Sequence, residues 1–396
     1  MKNIGDISFN GKRVLIRVDF NVPLDENFKI TDDSRIVAAI PTIKKIIDEG
    51  GKAIIISHLG RPKSGYEERF SLKHIVSYLS SILKTNVAFN DDCIGKNTAN
   101  VVSKMNNGEV LLLENLRFYK EEKLGDKLFA KKLSELADVY VNDAFGTAHR
   151  AHASTAIIAQ FFPNNKYFGL LLEKEITSLE VVLKNPKKPF TAIIGGAKIT
   201  GKIDVILSLL DKVDNLIIGG GMAYTFAKAA GGNIGNSLVE EEKISLAKEL
   251  IDLAKVKGVN LCLPRDSVNA NKFDNSAKTN TSEITNISDG WIGLDIGEKS
   301  IRDFSEIISA SKTIIWNGPM GVFEMSNFEK GTKKIANAIC KATQMGAYSL
   351  VGGGDSVAAI KKFGLANKVS YISTGGGAML EYLEGKLLPG VDAILS

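Results

Sequence analysis

Short apolar segments recur along this chain, and most run directly into glycine or charged residues that precede a helical pattern. The clearest segments are residues 12–18, 53–57, 110–113, 139–142, 190–194, 216–218, 291–295, 313–317, 349–351 and 371–372. Strands that alternate with helices in this way form parallel sheets with helices packed on both faces. The alternation restarts after residue 189, and 396 residues are too many for one ordinary core. The pattern therefore predicts an α/β protein of two domains.

Residues 349–358 are typical of a phosphate-binding turn. An apolar segment ends in three glycines, and Asp355 and Ser356 follow before a helical pattern that begins near Ala358. Such a turn presents bare backbone N–H groups at the positive end of a helix dipole. Asp355 would repel a phosphate unless Mg²⁺ lay between them. A tight turn in which Asp355 and Ser356 cap the helix is the alternative.

Cationic residues and glycines are unevenly distributed. All four histidines and seven of the nine arginines precede residue 153, whereas 26 of the 37 glycines lie from Gly195 onward. Arginine and histidine side chains bind an anion through fixed positive charge, whereas glycines let backbone N–H groups approach an anion closely. The two halves are therefore expected to bind two different anionic ligands.

In the first half, polar residues follow the predicted strands, with a basic residue close to each strand end. Several arginines at one edge of a parallel sheet imply a small, highly charged anion. Arg35 opens a helix predicted over about 35–49, where the helix dipole disfavours a cation, so Arg35 is expected to serve a ligand. Asp19 and Asn21 fit a simple turn equally well. The residues at the strand ends are Asp19, Asn21, His58, Gly60, Arg61, Arg117 and Arg150.

In the second half, Gly196, Gly201 and Lys202 nearly match the P-loop pattern. Ile203 stands where that pattern needs a Mg²⁺-binding hydroxyl, so a true P-loop is not expected. Lys198 and Lys202 on a glycine-rich turn still indicate polyphosphate. Residues 219–224 fall short of the dinucleotide fingerprint, which argues against a nicotinamide-dependent dehydrogenase.

Residues 168–183 read as one amphipathic helix, roughly 24 Å long. A helix of that length can join two domains, and an ordinary surface helix fits the pattern equally well.

Composition excludes several classes of protein. No apolar run reaches about 18 residues, so no membrane association is expected. The three cysteines are far apart, and the start of the chain has no signal-peptide pattern, so a cytoplasmic location is expected. The net charge of +5 is mild and the arginines occur singly, which argues against nucleic-acid binding.

Together these motifs closely resemble the phosphoglycerate kinase family. The matching stretches keep the family's order and span nearly the whole chain. They are residues 12–23, 57–62, 142–154, 195–198, 316–319, 352–355 and 373–378.

The resemblance implies two Rossmann-like, doubly wound parallel-sheet domains joined by an interdomain helix. A phosphoglycerate-binding domain is expected at 1–167, a connecting helix at 168–183 and a nucleotide-binding domain at 184–377. Residues 378–396 are expected to return to the first domain. The implied reaction is reversible phosphoryl transfer between 1,3-bisphosphoglycerate and Mg·ADP, giving 3-phosphoglycerate and Mg·ATP. The implied partners are these small molecules, and a monomer is expected.

The resemblance also assigns residues. Phosphoglycerate contacts fall on Asp19, Phe20, Asn21, Arg35, His58, Leu59, Gly60, Arg61, Arg117 and Arg150. Nucleotide contacts fall on Gly196, Ala197, Lys198, Lys202, Gly219, Gly220, Gly293, Leu294, Asn317, Glu324, Gly353, Gly354, Asp355 and Ser356, with Mg²⁺ on Asp355. The expected catalytic residues are Arg35, Lys198, Gly353 and Gly354. Two positions depart from the family pattern: Gly201 replaces a common acid, and Glu298 a common proline.

Overall fold

The computed structural model describes residues 3–63 and 65–396. Its contacts divide the chain into two compact units, one formed by Met1–Thr177 and Leu387–Ser396 and the other by Ser178–Lys386. The chain therefore passes from one unit to the other twice. The contacts place residues 378–386 in the second unit. The limits that the sequence suggested for a phosphoglycerate-binding and a nucleotide-binding domain stay predictions.

The first unit contains a six-stranded parallel sheet. Its strands are β1 (Arg13–Val18), β2 (Lys52–Ile56), β3 (Val87–Asn90), β4 (Val110–Leu113), β5 (Val139–Asp143) and β6 (Lys166–Phe168). They are ordered β3-β4-β2-β1-β5-β6. The helices are α1 (Ser34–Asp48), α2 (Lys73–Leu83), α3 (Lys96–Ser103), α4 (Lys120–Leu124), α5 (Lys127–Ser134) and the C-terminal α14 (Pro389–Leu395).

The core of this unit explains its strand sequences. All of β4 and most of β2 are buried, because parallel strands covered on both faces carry continuous apolar runs. Helix α1 buries Ile36, Ala39, Ile43 and Ile46, whose spacing places them on one helix face. That face packs in the same apolar cluster as Val14 and Ile16 of β1 and their neighbours.

The second unit contains another six-stranded parallel sheet. Its strands are β7 (Phe190–Ile194), β8 (Asn215–Ile218), β10 (Asn260–Cys262), β15 (Thr313–Asn317), β16 (Tyr348–Val351) and β17 (Tyr371–Ile372). They are ordered β10-β8-β7-β15-β16-β17. The helices are α7 (Ile203–Leu210), α8 (Met222–Ala229), α9 (Ile244–Val256), α10 (Glu298–Ala310), α11 (Lys330–Gln344), α12 (Gly354–Lys362) and α13 (Gly376–Leu383). The two parallel sheets confirm the predicted fold class.

Two small sheets were not expected. Strands β11 (Asp266–Ala270), β12 (Thr279–Glu283) and β14 (Ile292–Ile296) form an antiparallel sheet, and β9 (Asn233–Ile234) pairs with β13 (Asn286–Ile287). The segment 291–295 was predicted as one of the alternating strands, and its main part is β14. A local apolar pattern identifies a strand but not its partner, and β14 pairs with β11 instead of entering the parallel sheet.

Two predicted helix limits were wrong. The helix predicted over 168–183 is α6 (Leu170–Leu183), because Phe168 ends β6 and Gly169 forms the turn between them. The helix after the glycine-rich turn begins at Gly354 rather than near Ala358. In both cases a glycine marks the start of the helix, and the spacing of apolar residues did not locate that start correctly.

Candidate active site

Each parallel sheet reverses its strand order once. In the first unit β1 leads through α1 to β2 on one side, while β5 pairs with β1 on the other. In the second unit β7 leads through α7 to β8, while β15 pairs with β7 on the other side. Ligands of open α/β sheets bind outside the carboxyl ends of the strands at such reversals. The fold therefore provides one candidate ligand site in each unit.

The residues after β1 hold Arg35 beside the strand end. Arg35 Nη1 donates to the Asn21 carbonyl at 2.7 Å and lies 3.6 Å from Asp19 Oδ2. Asn21 Oδ1 accepts a hydrogen bond from the Gly60 N–H at 2.8 Å, and Asp19 Oδ1 accepts one from the Asn21 N–H at 3.2 Å. Asp19 and Asn21 thus stabilise a turn, and they also orient a cation and the loop after β2.

The loops after β2 and β4 are joined through Asn115 and Arg117. The Asn115 side chain accepts from the N–H groups of Leu59 and Arg117 at 3.2 and 3.0 Å, and Arg117 Nη1 donates to the Gly60 carbonyl at 2.7 Å. Arg117 is only 8% exposed, and its Nε has no hydrogen-bond partner within residues 3–63 and 65–396. A buried guanidinium with an unused donor is well suited to bind an anion.

Two residues that the sequence analysis did not assign, Arg17 and His152, belong to this group. Arg17 is 1% exposed; its Nε donates to Ser154 Oγ at 2.9 Å, and its Nη2 lies 3.2 Å from His58 Nδ1. An arginine inside an otherwise apolar strand was a signal that could have identified Arg17. His152 lies two residues from Arg150, within a stretch that carried the family resemblance.

Positive charge dominates this edge of the sheet. Burial, followed by the charge of Arg17, lowers the pKa of His58 well below its usual value. The same causes, in the same order, lower the pKa of His152 to about 4. Burial and then the charges of Arg17 and Arg150 lower the pKa of Arg117 to about 10. At neutral pH both imidazoles are therefore uncharged while the guanidiniums remain cations, and an anion would relieve their mutual repulsion.

The remaining predicted residues of the first unit differ in exposure. Arg61 and Arg150 are exposed, and Arg150 Nε donates to His149 Nε2 at 3.0 Å. Phe20 is fully buried, and its N–H donates to Ser57 Oγ at 2.8 Å. The Phe20 side chain is therefore part of the core, and its packing fixes the position of the loop after β1.

In the second unit, Asn317 links the ends of three strands. Lys202, which follows the turn after β7, donates from Nζ to Asn317 Oδ1. Asn317 ends β15, and its Nδ2 donates to the Gly352 carbonyl after β16 at 2.9 Å. Burial lowers the pKa of Lys202, and the Asp355 charge opposes that shift. Lys198 is exposed on the same turn.

Glycines allow the strand ends of this unit to approach each other. A Cβ on Gly195 would lie 2.1 Å from the Pro319 carbonyl oxygen, and a Cβ on Gly318, whose φ is +106°, would lie 2.1 Å from the Gly195 carbonyl oxygen. Gly354 differs, because a Cβ there would meet nothing within 4 Å and its φ is not positive. The protein's own packing therefore gives no reason for glycine at Gly354.

The capping alternative for Asp355 and Ser356 is wrong. The N-cap of α12 is Gly353, and no side chain caps that helix. Ser356 is buried, and its Oγ accepts from the Gly318 N–H at 2.5 Å. Asp355 lies exposed in the first turn, a position where a carboxylate remains available to a ligand.

The other predicted nucleotide residues are scattered between positions 196 and 324 and lie in different surroundings. The Gly293 N–H donates to Ser237 Oγ at 2.9 Å, and a Cβ on Gly293 would lie 2.3 Å from the Tyr224 ring. Leu294 belongs to a small apolar cluster, and its carbonyl accepts from the Val322 N–H at 2.9 Å. Ala197 and Glu324 are exposed, Gly219 packs on Met320, and Gly220 approaches the backbone of Gly196.

A buried carboxylate that the sequence analysis missed supports the lysine-bearing turn. Glu240 is 7% exposed and accepts from the Ile199 N–H and from Thr200 Oγ1, both at 2.5 Å. Glu240 is the first of three consecutive glutamates, a pattern typical of a solvent-exposed segment, so the sequence carried no signal for this role. The two departures from the family pattern are peripheral, since Gly201 is exposed and Glu298 pairs with Lys330.

Among the described residues, no group of three or more His, Cys, Asp or Glu side chains could hold a metal ion. A single carboxylate such as that of Asp355 is nevertheless enough for a cation that arrives with a phosphate ligand. Mg²⁺ is usually bound by one or two carboxylates together with substrate phosphates. Within the same residues, no helix is long and apolar enough to cross a membrane.

Comparison with known proteins gives a consistent result. The family model described as phosphoglycerate kinase matches residues 4–386. The chain is 55% identical to phosphoglycerate kinase of Porphyromonas gingivalis (strain ATCC BAA-308 / W83), covering 99% of each sequence. It is 54% identical to a cytosolic phosphoglycerate kinase of Triticum aestivum, covering 99% of this chain and 97% of the relative. The solved structure of phosphoglycerate kinase from Coxiella burnetii matches with a TM-score of 0.90 at 42% identity, covering 99% of this chain and 98% of that one.

Proposed function

The chain belongs to the phosphoglycerate kinase family, and from this we propose that it transfers a phosphoryl group directly and in line between 1,3-bisphosphoglycerate and Mg·ADP. Family membership makes it a glycolytic kinase that interconverts 1,3-bisphosphoglycerate and ADP with 3-phosphoglycerate and ATP. The finer proposal concerns how the described side chains accomplish this transfer.

The arginine-rich edge of the first unit is the proposed phosphoglycerate site, and this cluster is the observation that carries the proposal. Arg17, Arg35 and Arg117 supply fixed positive charge, and Arg117 Nε is an unused buried donor. A phosphorylated carboxylic acid offers carboxylate and phosphate oxygens that match guanidinium geometry. His58, held neutral by burial and by Arg17, is proposed as a ligand contact rather than an acid or base.

The glycine-rich edge of the second unit is the proposed nucleotide site. The open space beside Gly354 leaves the first N–H groups of α12 accessible to phosphate oxygens. Lys198 and Lys202 add positive charge on the turn after β7. Asp355 would hold Mg²⁺, which when bound neutralises phosphate charge.

The chemistry requires little beyond position and charge. The group that accepts the phosphoryl group in the reverse reaction is already a carboxylate, so neither a strong base nor a covalent intermediate is needed. Phosphoryl transfer depends on in-line placement and neutralisation of charge on the moving group. Arg35, Lys198, Gly353 and Gly354 are proposed to provide this stabilisation.

We further propose that the two units close on each other during the reaction. The proposed phosphoglycerate residues all lie in the first unit, and the nucleotide residues all lie in the second. Transfer needs reacting atoms within about 3–3.5 Å of each other, whereas substrates need an open path to enter. A hinge motion satisfies both requirements and excludes water from the acyl phosphate.

The test of function is a coupled assay of 1,3-bisphosphoglycerate formation from 3-phosphoglycerate and Mg·ATP. Arg117→Met should lower kcat/KM by about 10²-fold or more, since a buried charge-assisted contact is lost. Arg13→Met is the matched control, because Arg13 begins β1 and pairs at the surface with Asp138 at 2.6 Å. Absence of turnover by the wild-type chain would contradict the proposed function.

Small-angle scattering tests closure and the proposed monomer. The radius of gyration should fall with 3-phosphoglycerate or with a non-reactive ATP analogue, and fall most with both. An unchanged radius in all four states would contradict closure. The scattering mass reports whether the chain is monomeric. A cytoplasmic location and the lack of nucleic-acid binding stay predictions.

A further inference from the structure

The chain passes between its two units at only two points, after Thr177 within α6 and after Lys386. These are the covalent connections between the units, so the segments at these points must accommodate any relative motion of the units. Both segments are held by consecutive side chains at the carboxyl end of β5, Asn142 and Asp143.

Asp143 holds the first turn of α6. Its Oδ1 accepts from the N–H groups of Leu171 and Leu172 at 2.9 and 3.1 Å, and the side chain is fully buried. Thr42 Oγ1 accepts from the Leu170 N–H at 2.9 Å. These N–H groups have no partners within their own helix, so they depend on side chains that are distant in sequence.

The turn before α6 is fitted to the same carboxylate. A Cβ on Gly169 would lie 2.2 Å from Asp143 Oδ1, so only glycine lets the chain pass this close. The Gly169 N–H donates to the Asn142 carbonyl at 2.8 Å. The start of α6 is therefore attached to β5 through both the backbone and a side chain.

Asn142 holds the returning segment. Its Nδ2 donates to the carbonyls of Gly390 and Thr155 at 3.2 and 3.3 Å. The Gly390 N–H donates to the Ala148 carbonyl at 2.8 Å, and a Cβ on Gly390 would lie 2.8 Å from Thr155 Cγ2. The start of α14 is thus attached to the same strand end and to the loop that follows it.

This strand end also borders the arginine-rich edge. β5 pairs with β1 at the reversal of strand order, with Val18 opposite Asp143. Asn142 Oδ1 accepts from the Ala144 N–H at 3.2 Å, and the chain then runs directly to Arg150. A displacement of the Ala144–Arg150 backbone on anion binding would therefore act on Asn142 and Asp143 first.

We propose that Asn142 and Asp143 are positioning residues that couple phosphoglycerate binding to both segments connecting the two units. This inference rests on the proposed function, because it assumes that closure follows substrate binding. Neither side chain is proposed to touch the substrate. Their predicted effect is on the reaction rate and on closure, and not on the affinity for 3-phosphoglycerate.

The carboxylate at position 143 is not explained by stability alone. Burial raises the pKa of Asp143 to about 6, so above that pH an ion is retained at a position shielded from solvent. Asp143 Oδ2 has no hydrogen-bond partner among the described residues. A buried side-chain oxygen without a hydrogen-bond partner is costly for folding, so the presence of a polar acceptor at this position is consistent with a role outside folding.

The test compares Asp143→Ala and Asn142→Ala with the wild-type chain. Both variants should lower kcat at least 10-fold while KM and the calorimetric Kd for 3-phosphoglycerate change less than 3-fold. Both should also lose the fall in radius of gyration on addition of the two ligands. Asp143→Asn keeps an acceptor at Oδ1 and should restore kcat to within about 3-fold of wild type.

Asp138→Asn is the matched control, because Asp138 precedes the same strand and pairs with Arg13 at its other end. It should leave kcat within 2-fold. If Asp143→Ala does not fold, Thr42→Val removes the acceptor for Leu170 and the hydrogen bond between Thr42 and Asp143, and it should show the same pattern with a smaller loss of kcat.

The outcomes separate this inference from the function. An active wild-type chain whose Asp143→Ala or Thr42→Val variant keeps full kcat and full compaction would overturn the coupling alone. A rise in KM with unchanged kcat would also overturn it, since that result assigns a direct binding role. An inactive wild-type chain would overturn the proposed function and this inference together.

Discussion

Gly354→Ala should separate ligand binding from folding at the glycine-rich turn. Apart from its chain neighbours and the backbone of its own helix, the new methyl group would meet no protein atom within 4 Å, and the φ of Gly354 suits any residue, so no strain is introduced. Gly354 is the first residue of α12, and alanine is favoured over glycine in helices by roughly 0.5–1 kcal/mol, with less expected at a helix start. The thermal midpoint should therefore stay the same or rise slightly.

The affinity for Mg·ADP, in contrast, should fall. The methyl group would occupy the open space through which the proposed phosphate would reach the N–H groups of α12, and it would displace at least one proposed charge-assisted hydrogen bond. Such a bond contributes about 1.5–3 kcal/mol, which corresponds to a roughly 10- to 150-fold loss in Mg·ADP affinity or in kcat/KM. On one preparation, titration calorimetry measures the Mg·ADP affinity, the coupled assay measures kcat/KM, and scanning calorimetry measures the thermal midpoint.

Gly201→Ala is the control for that change, because Gly201 also faces open space without a positive φ and carries no assigned phosphate contact. It should leave affinity within about 3-fold of wild type. Unchanged Mg·ADP affinity in Gly354→Ala would refute the phosphate assignment. A fall in the thermal midpoint of several degrees would refute the packing argument instead.

Three further predictions concern charge. Arg35→Ala should lower kcat by about 10²–10³-fold, because the contact proposed to strengthen in the transition state would be lost, and steady-state kinetics showing only a raised KM would contradict this. Asp355→Asn should abolish Mg-dependent ADP binding with little change in thermal midpoint, since Asp355 caps no helix; calorimetry with unaltered Mg·ADP affinity would rule out the metal role. Burial raises the pKa of Asp295 to about 7, so the folded chain keeps a proton that the unfolded chain releases near pH 4. The contribution of Asp295 to the thermal midpoint should therefore fall as pH rises from 4 to 7, and Asp295→Asn should remove that contribution; identical pH dependences of the midpoint in both proteins would show that Asp295 does not titrate in this range.

The fold class and the family were accessible from the sequence because their signals are local. Apolar runs that end in glycine or charged residues specify strands and the turns after them, whatever the rest of the chain does. Residues 349–354 illustrate this: the strand, the glycine-rich turn and the helix that follows were all expected, and only the helix start was misplaced. The roles assigned to individual residues stay predictions until they are measured.

Long-range pairing is what the sequence did not reveal. Strand β14 was recognised as a strand, but its antiparallel partner β11 was not. Arg17 was visible as a charge in an apolar strand, but its contact with Ser154, 137 residues away, was not. Glu240 gave no signal at all, since its role depends on the N–H groups of a turn about 40 residues earlier.

The amino-acid sequence by itself determined the alternating elements, the glycine-rich turns and the cationic strand ends, because these follow from backbone sterics and side-chain periodicity over a few residues. The tertiary structure alone decided which strands pair and which polar groups become buried together. Burial is a property of the packed chain: the same carboxylate is an ordinary acid in a loop and, at Asp143, a fixed anchor for a helix that begins 27 residues later. Desolvation raises the free energy of an unpaired polar group only after distant segments have packed around it, so its partners could not be found from neighbouring residues.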